Sequence, residues 1–253
     1  MTGDTRSGIA GSRVRFIRRC SLSITAAPFL VLVVSGSPAS AAGNGIAAKS
    51  AAQVVSTAVK TSAAANSLSI DGSVTQGSST VGLDLSVSAA GKSEGTITIN
   101  GGTADVIELG STAYFKADST FWTQNGGKAD AQLLAGKWVY GPISSSTFSS
   151  FKSFLRPRNV VDSFFSGGGG PYVKGKTSSI DGQAVLAISN PPTAKNGGTL
   201  YVATTGKPFV IKLEAAGSSG HGQITFSHYN RPVHATKPAG AINLAQLSGG
   251  GSS

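Results

Sequence analysis

From Leu68 onward the apolar residues recur at every second position, as where Val81, Leu83, Leu85 and Val87 alternate with Gly82, Asp84, Ser86 and Ser88. A strand turns successive side chains to opposite faces, so this period of two predicts half-buried antiparallel strands with one wet face. Asp71-Gly72, Ala90-Gly91, Asn100-Gly101-Gly102 and Gly110-Ser111 separate the runs and suit tight turns. Residues 95–100, 103–109 and 112–117 follow one another with loops too short for a crossover helix, which disfavours parallel pairing. Strand-like runs resume at residues 172–177, 183–188, 200–204, 209–214 and 223–229. A sheet of about nine to eleven such strands is too wide to stay flat and should curl, leaving a concave face.

Helical spacing punctuates this pattern. Residues 44–60 place Ile46, Val54, Val55 and Val59 on one stripe, which predicts an N-terminal helix. In the middle third, Phe148, Phe151, Phe154 and Leu155, then Val160, Val161, Phe164 and Phe165, predict two short amphipathic helices separated near Pro157. Gly167 to Gly170 reads as a flexible joint, and a small helix is expected over residues 241–247. The apolar stripes need a partner, and the concavity supplies one. The expected class is therefore α+β: a curled antiparallel half-barrel with helices covering its concave face.

The first 41 residues read as a signal peptide. Arg13, Arg15, Arg18 and Arg19 precede an uncharged apolar run over residues 22–34, and Ala39-Ser40-Ala41 offers small residues before a cleavage point. An uncleaved anchor is the alternative, but that helix would be short and broken at Pro28. Arg18-Arg19 is a faint sign of twin-arginine export. Cleavage after Ala41 leaves a domain over residues 42–247 and a flexible tail over 248–253, exported to the envelope, a periplasm-like space or the medium.

Removing residues 1–41 takes away five arginines and one aspartate, so the formal charge drops from +10 to +6. The remaining cations are scattered, with Lys174 and Lys176, like Arg156 and Arg158, only two residues apart, and no basic run is interleaved with aromatics. Nucleic acid is disfavoured as a partner, whereas a membrane surface stays open as a contact. The single cysteine, Cys20, precedes the apolar run, so it is not a lipobox cysteine, and the mature domain holds no thiol for disulfides or thiolate metal sites.

No catalytic signature stands out. Gly91-Lys92-Ser93-Glu94-Gly95 matches the nucleophile-elbow pattern, yet residues 96–100 read as a strand where a helix is required. A phosphate loop would need a glycine where Ser86 stands. His221, His228 and His234 are spaced by seven and six, and residues an odd number apart on a strand diverge, which favours surface histidines over a zinc set. The acidic residues are isolated, with Asp71, Asp118 and Asp181 beside turns. No catalytic residue, metal or cofactor is assigned.

The order of elements, and three stretches of text, resemble a known group. Thr112-Ala113-Tyr114-Phe115-Lys116-Ala117-Asp118, then Phe121-Trp122, then Leu134-Ala135-Gly136-Lys137-Trp138-Val139, are similar to the LolA-like half-barrel and, within it, the actinobacterial envelope lipoprotein family of the LppX and LprG type. Gly198-Thr199-Leu200-Tyr201-Val202, Lys207-Pro208-Phe209 and the stretch from Thr225 to Val233 are similar to its C-terminal strands. The resemblance covers residues 42–237, and the lipobox is the departure from it. It implies a non-catalytic carrier with a hydrophobic cavity for the acyl chains of envelope lipids.

On that reading, the expected partner is a lipid or other hydrophobic ligand, and the expected state is a monomer. Leu83, Leu85, Ile97, Ile99, Phe115 and Trp122 are the expected cavity wall. Phe148, Phe151, Phe154 and Phe164 are the expected cover. The competing expectation is a non-enzymatic envelope protein with a solid core, serving adhesion, sensing or assembly.

Overall fold

The computed structural model describes residues 43–145, 148, 151–165, 170–191, 197–218 and 220–248. The expected signal peptide, most of the glycine joint and the last five residues lie outside them. Described strands are β1 (Ser67–Gln76), β2 (Ser79–Ser88), β3 (Lys92–Ile99), β4 (Gly102–Leu109), β5 (Thr112–Ala117) and β6 (Val139–Pro142). After a helical segment follow β7 (Val173–Ile180), β8 (Gln183–Asn190), β9 (Gly198–Ala203), β10 (Val210–Gly217), β11 (Gly220–Ser227) and the short β12 (Ile242–Asn243).

All twelve join one curled, unclosed sheet in the order β12-β6-β5-β4-β3-β2-β1-β11-β10-β9-β8-β7. Two meanders, β1 to β6 and β7 to β11, meet at a seam where β1 pairs antiparallel with β11, Ser69 opposite Ser227 and Thr75 opposite His221. The helices are α1 (Ala51–Ala63), α2 (Ser119–Asn125), α3 (Lys128–Leu134), α4 (Pro157–Phe165) and α5 (Leu244–Ser248). The α+β half-barrel expected from the alternation is the observed architecture.

Registers align the concave face in rows. One row runs Ile188, Leu200, Leu213, Ile224, Gly72, Leu83, Ile97, Ala104, crossing eight strands. Val54 and Ala58 of α1, and Val160 and Val161 of α4, are buried in the same cluster as these row residues. Burying one such aliphatic side chain contributes roughly 1.5–3 kcal/mol, so the helices are held mainly by the sheet. The Ser50 side chain caps α1, accepting from the Gln53 amide while Gln53 answers the Ser50 amide. A second tie is polar: the Tyr229 hydroxyl donates to the Val210 carbonyl at 2.7 Å, and the nearby Ser62 Oγ accepts from the Val210 amide at 2.9 Å. Burial pushes the Tyr229 phenol above its ordinary range.

Several local expectations are corrected. Asp71-Gly72 is not a turn but lies inside β1; the turn comes at Gly77-Ser78, between Gln76 and its partner Ser79. A Cβ on Gly72, with φ at 132°, would stand 2.2 Å from the Gln223 carbonyl oxygen, so glycine there serves close strand approach. The N-terminal helix divides into a short 3-10 turn (Ile46–Ala48) and α1. The C-terminal helix starts at Leu244, because residues 242–243 pair in parallel with the distant β6. Helices α2 and α3 were not foreseen. Asp118 is the cap of α2, its carboxylate accepting from the Phe121 amide at 2.7 Å and the Thr103 amide at 3.0 Å.

Candidate functional site

The concave face is filled unevenly. Over β3 to β6 it is solid: Phe115 has Phe121, Trp122 and Phe151 rings within 5.7 Å of its own, and Phe148 at 6.4 Å. Such offset and edge contacts are the arrangements that aromatic rings prefer in a protein interior. Over β8 to β10 and the ends of β1 and β2, the face instead borders a cavity of about 480 Å³, within the range of small-molecule sites.

The next row toward the rim explains the void. It runs Asn190, Gly198, Ala215, Gly222, Val74, Val81 across β8, β9, β10, β11, β1 and β2. Its centre, Gly198-Ala215-Gly222, has almost no side chain to raise into the concavity. Deeper in, Ile188, Leu200 and Leu213 form an apolar floor, with Val55 of α1 at the side. Phe154, from the 3-10 turn Lys152–Phe154, and Phe164 and Phe165 of α4 close the opposite side. The last two rings lie 6.0 Å and 6.4 Å from Phe226, which anchors α4 to the sheet beside the void. Gln76 and Ser79, facing each other across the β1–β2 hairpin, are exposed at the rim, so polarity rises from floor to mouth.

Of the ten residues expected to line a cavity, Phe154 and Phe164 line this one. Leu83, Leu85, Ile97, Phe115, Trp122, Phe148 and Phe151 are buried in the packed part, and Ile99 packs against it half-buried. The lining residues not foreseen include Ile188, Leu200, Leu213 and Ala215. Alternation in the C-terminal strands marks the first three as inward, and the glycine and alanine at 198 and 215 are the trace of the missing volume.

An ion pair with a buried carboxylate lies outside the cavity lining. Glu108 faces the concavity from β4, 1 % exposed, and receives a hydrogen bond from the Arg156 guanidinium. Ser93 Oγ, fully buried beside it, donates to the Leu155 carbonyl at 2.9 Å. Ser93 therefore clamps the aromatic segment to β3, and the elbow-like text around it carries a structural bond. His221, His228 and His234 are each exposed, and no group of three or more metal-ligating side chains converges among the described residues.

No family model matches the chain, and no curated protein matches it. Solved structures do. The fold is similar to LprF from Mycobacterium bovis, with a TM-score of 0.50, 17% identity, and coverage of 75% of this chain and 97% of that one. A second likeness is to the lipoprotein LppX of Mycobacterium tuberculosis, with a TM-score of 0.47, 18% identity, and coverage of 74% and 98%. What the LprF likeness establishes is the shared curled-sheet architecture.

Proposed function

We propose that the protein is an exported, non-catalytic carrier that holds an acyl chain of an envelope lipid in the cavity between α4 and β8 to β10. The observation that carries this reading is the apolar void itself, floored by Ile188, Leu200 and Leu213 and covered by Phe154, Phe164 and Phe165. Under it, Phe154 and Phe164 touch the chain. The other eight residues of the expected wall and cover keep the sheet curved behind it.

Physics makes the role coherent without chemistry from the protein. Withdrawing about sixteen methylenes from water is worth on the order of 10 kcal/mol, yet a membrane offers the same gain. Net transfer between membrane and cavity is then close to balance, which permits both loading and release.

The test is native mass spectrometry of the purified protein, followed by organic extraction. A co-purifying or added lipid that binds one per chain, and that is lost when Ala215→Phe occludes the void, supports the reading. A protein that is empty and ignores added lipid overturns it.

A further inference from the structure

The void has a direction as well as a volume. It follows the row Asn190, Gly198, Ala215, Gly222, Val74, Val81, which crosses six neighbouring strands, and five of those six residues line it. Resting on the carrier reading, we infer that the cavity is a single-chain site. It takes one unbranched acyl chain laid across the strands, accepts single-chain amphiphiles and refuses two-chain lipids, and Val81 stands at the end that limits chain length.

The strand geometry sets the lane. Neighbouring strands lie about 4.8 Å apart, so six of them span at most about 24 Å, and less on the inside of a curl. With bonds of about 1.5 Å in a zigzag, an extended chain of about sixteen to eighteen carbons is about 20 Å long. The lane is one row wide. Leu200 and Leu213 wall it two residues inward of Gly198 and Ala215, and Gln76 and Ser79 wall it two residues outward of Val74 and Val81.

Volume leads to the same capacity. A methylene fills about the space of a water molecule in the liquid, about 30 Å³, so about sixteen of them match a void of about 480 Å³ and twice that number does not. The other half of the concave face offers no second lane, because Phe115, Phe121, Trp122 and Phe151 fill it. At the β2 end the partner of Val81 is Ile99, which packs against the buried core. A two-chain lipid seated here keeps its second chain in water, whereas a membrane buries both, so the membrane retains it.

The first test offers the purified protein, freed of lipid, vesicles of dipalmitoylphosphatidylcholine with a minor share of palmitoyl lysophosphatidylcholine, and separately dipalmitoylglycerol with 1-monopalmitoylglycerol. Native mass spectrometry is expected to find one single-chain molecule per protein although the two-chain lipid is in excess. Uptake of a two-chain lipid overturns the single-chain site while the carrier reading stands. Uptake of none of the four overturns both.

The second test is a length series of single-chain phosphocholines from about twelve to twenty-two carbons, each titrated below its micelle threshold. Binding should tighten about fourfold per added methylene up to a limit near eighteen carbons and no further. Val81→Phe, which closes the lane by one strand spacing of about 4.8 Å, should lower the limit by about four carbons and leave shorter chains unaffected. A rise that continues through the series overturns the lane, and a loss at every length or an unmoved limit overturns the place given to Val81. Should Val81→Phe not fold, Val74→Phe, one strand further in, should lower the limit about twice as far.

Discussion

Arg156 extends its guanidinium from the segment leading into α4 to the carboxylate of Glu108, a side chain 1 % exposed on the concave face of β4. The same arginine donates to the Leu155 carbonyl at 3.1 Å, so one side chain fastens the helical cover to the far meander. Removing only the cation strands a buried carboxylate. Arg156→Leu is expected to cost roughly 2–4 kcal/mol in urea unfolding, while the double variant Glu108→Leu with Arg156→Leu recovers most of it.

Filling the rim row should separate binding from stability. Ala215 points its methyl group into the void from β10. Ala215→Phe is expected to abolish ligand occupancy while the melting temperature holds or rises, because the added ring enters existing space and gains about 1–2 kcal/mol of burial. Comparing extracted lipid with thermal unfolding of the same preparation checks both halves.

Gly95 is intolerant for a reason visible only in three dimensions. Its φ is 141°, and a Cβ there would fall 2.0 Å from the Asp84 carbonyl oxygen on the neighbouring β2. Gly95→Ala is expected to destabilise by about 3 kcal/mol or more, read as a shift of the denaturant midpoint.

The Tyr229 phenol is held above its ordinary 10.0 by burial, so the folded protein keeps a proton that the unfolded chain releases. The stability tied to that proton is complete below pH 10 and is lost as pH climbs beyond it, by at most about 1.4 kcal/mol per pH unit. Tyr229→Phe removes that part of the alkaline decline. It also frees the Val210 carbonyl of a 2.7 Å bond, at about 1 kcal/mol at neutral pH. Urea midpoints at pH 8 and pH 11 for both proteins test the slope and the offset.

Asp118, at the junction between β5 and α2, holds two amides, that of Thr103 on the neighbouring β4 and that of Phe121 in α2. Asp118→Ala is expected to cost about 1–2 kcal/mol, and Asp118→Asn about half as much, by the same unfolding measurement.

The meander was legible because Val81, Leu83, Leu85 and Val87 obey a local rule, and Asn100-Gly101 and Gly110-Ser111 mark real turns. Asp71-Gly72 carries the same turn chemistry yet lies mid-strand, since the demand on Gly72 comes from β11, far along the chain. Helix α2 was missed because Asp118 followed by Ser, Thr and Phe serves equally as turn or cap. The site was legible only through Phe154 and Phe164. Locating the void needs the cross-strand row of Gly198, Ala215 and Gly222, which are small residues on three separate strands and align only once registers are known. Glu108 looks isolated in the chain because Arg156 is 48 residues away.

The seam between β1 and β11 joins the opening strand of the domain to one of its last. Val74 on one side of that junction, and Leu213 and Ala215 beyond it, border the same void. The void thus has no partial form: a chain still emerging from its ribosome has made one wall and not the other. Closing it requires a contact of high sequence separation, a slow kind of step in folding. The void is complete only in a finished molecule.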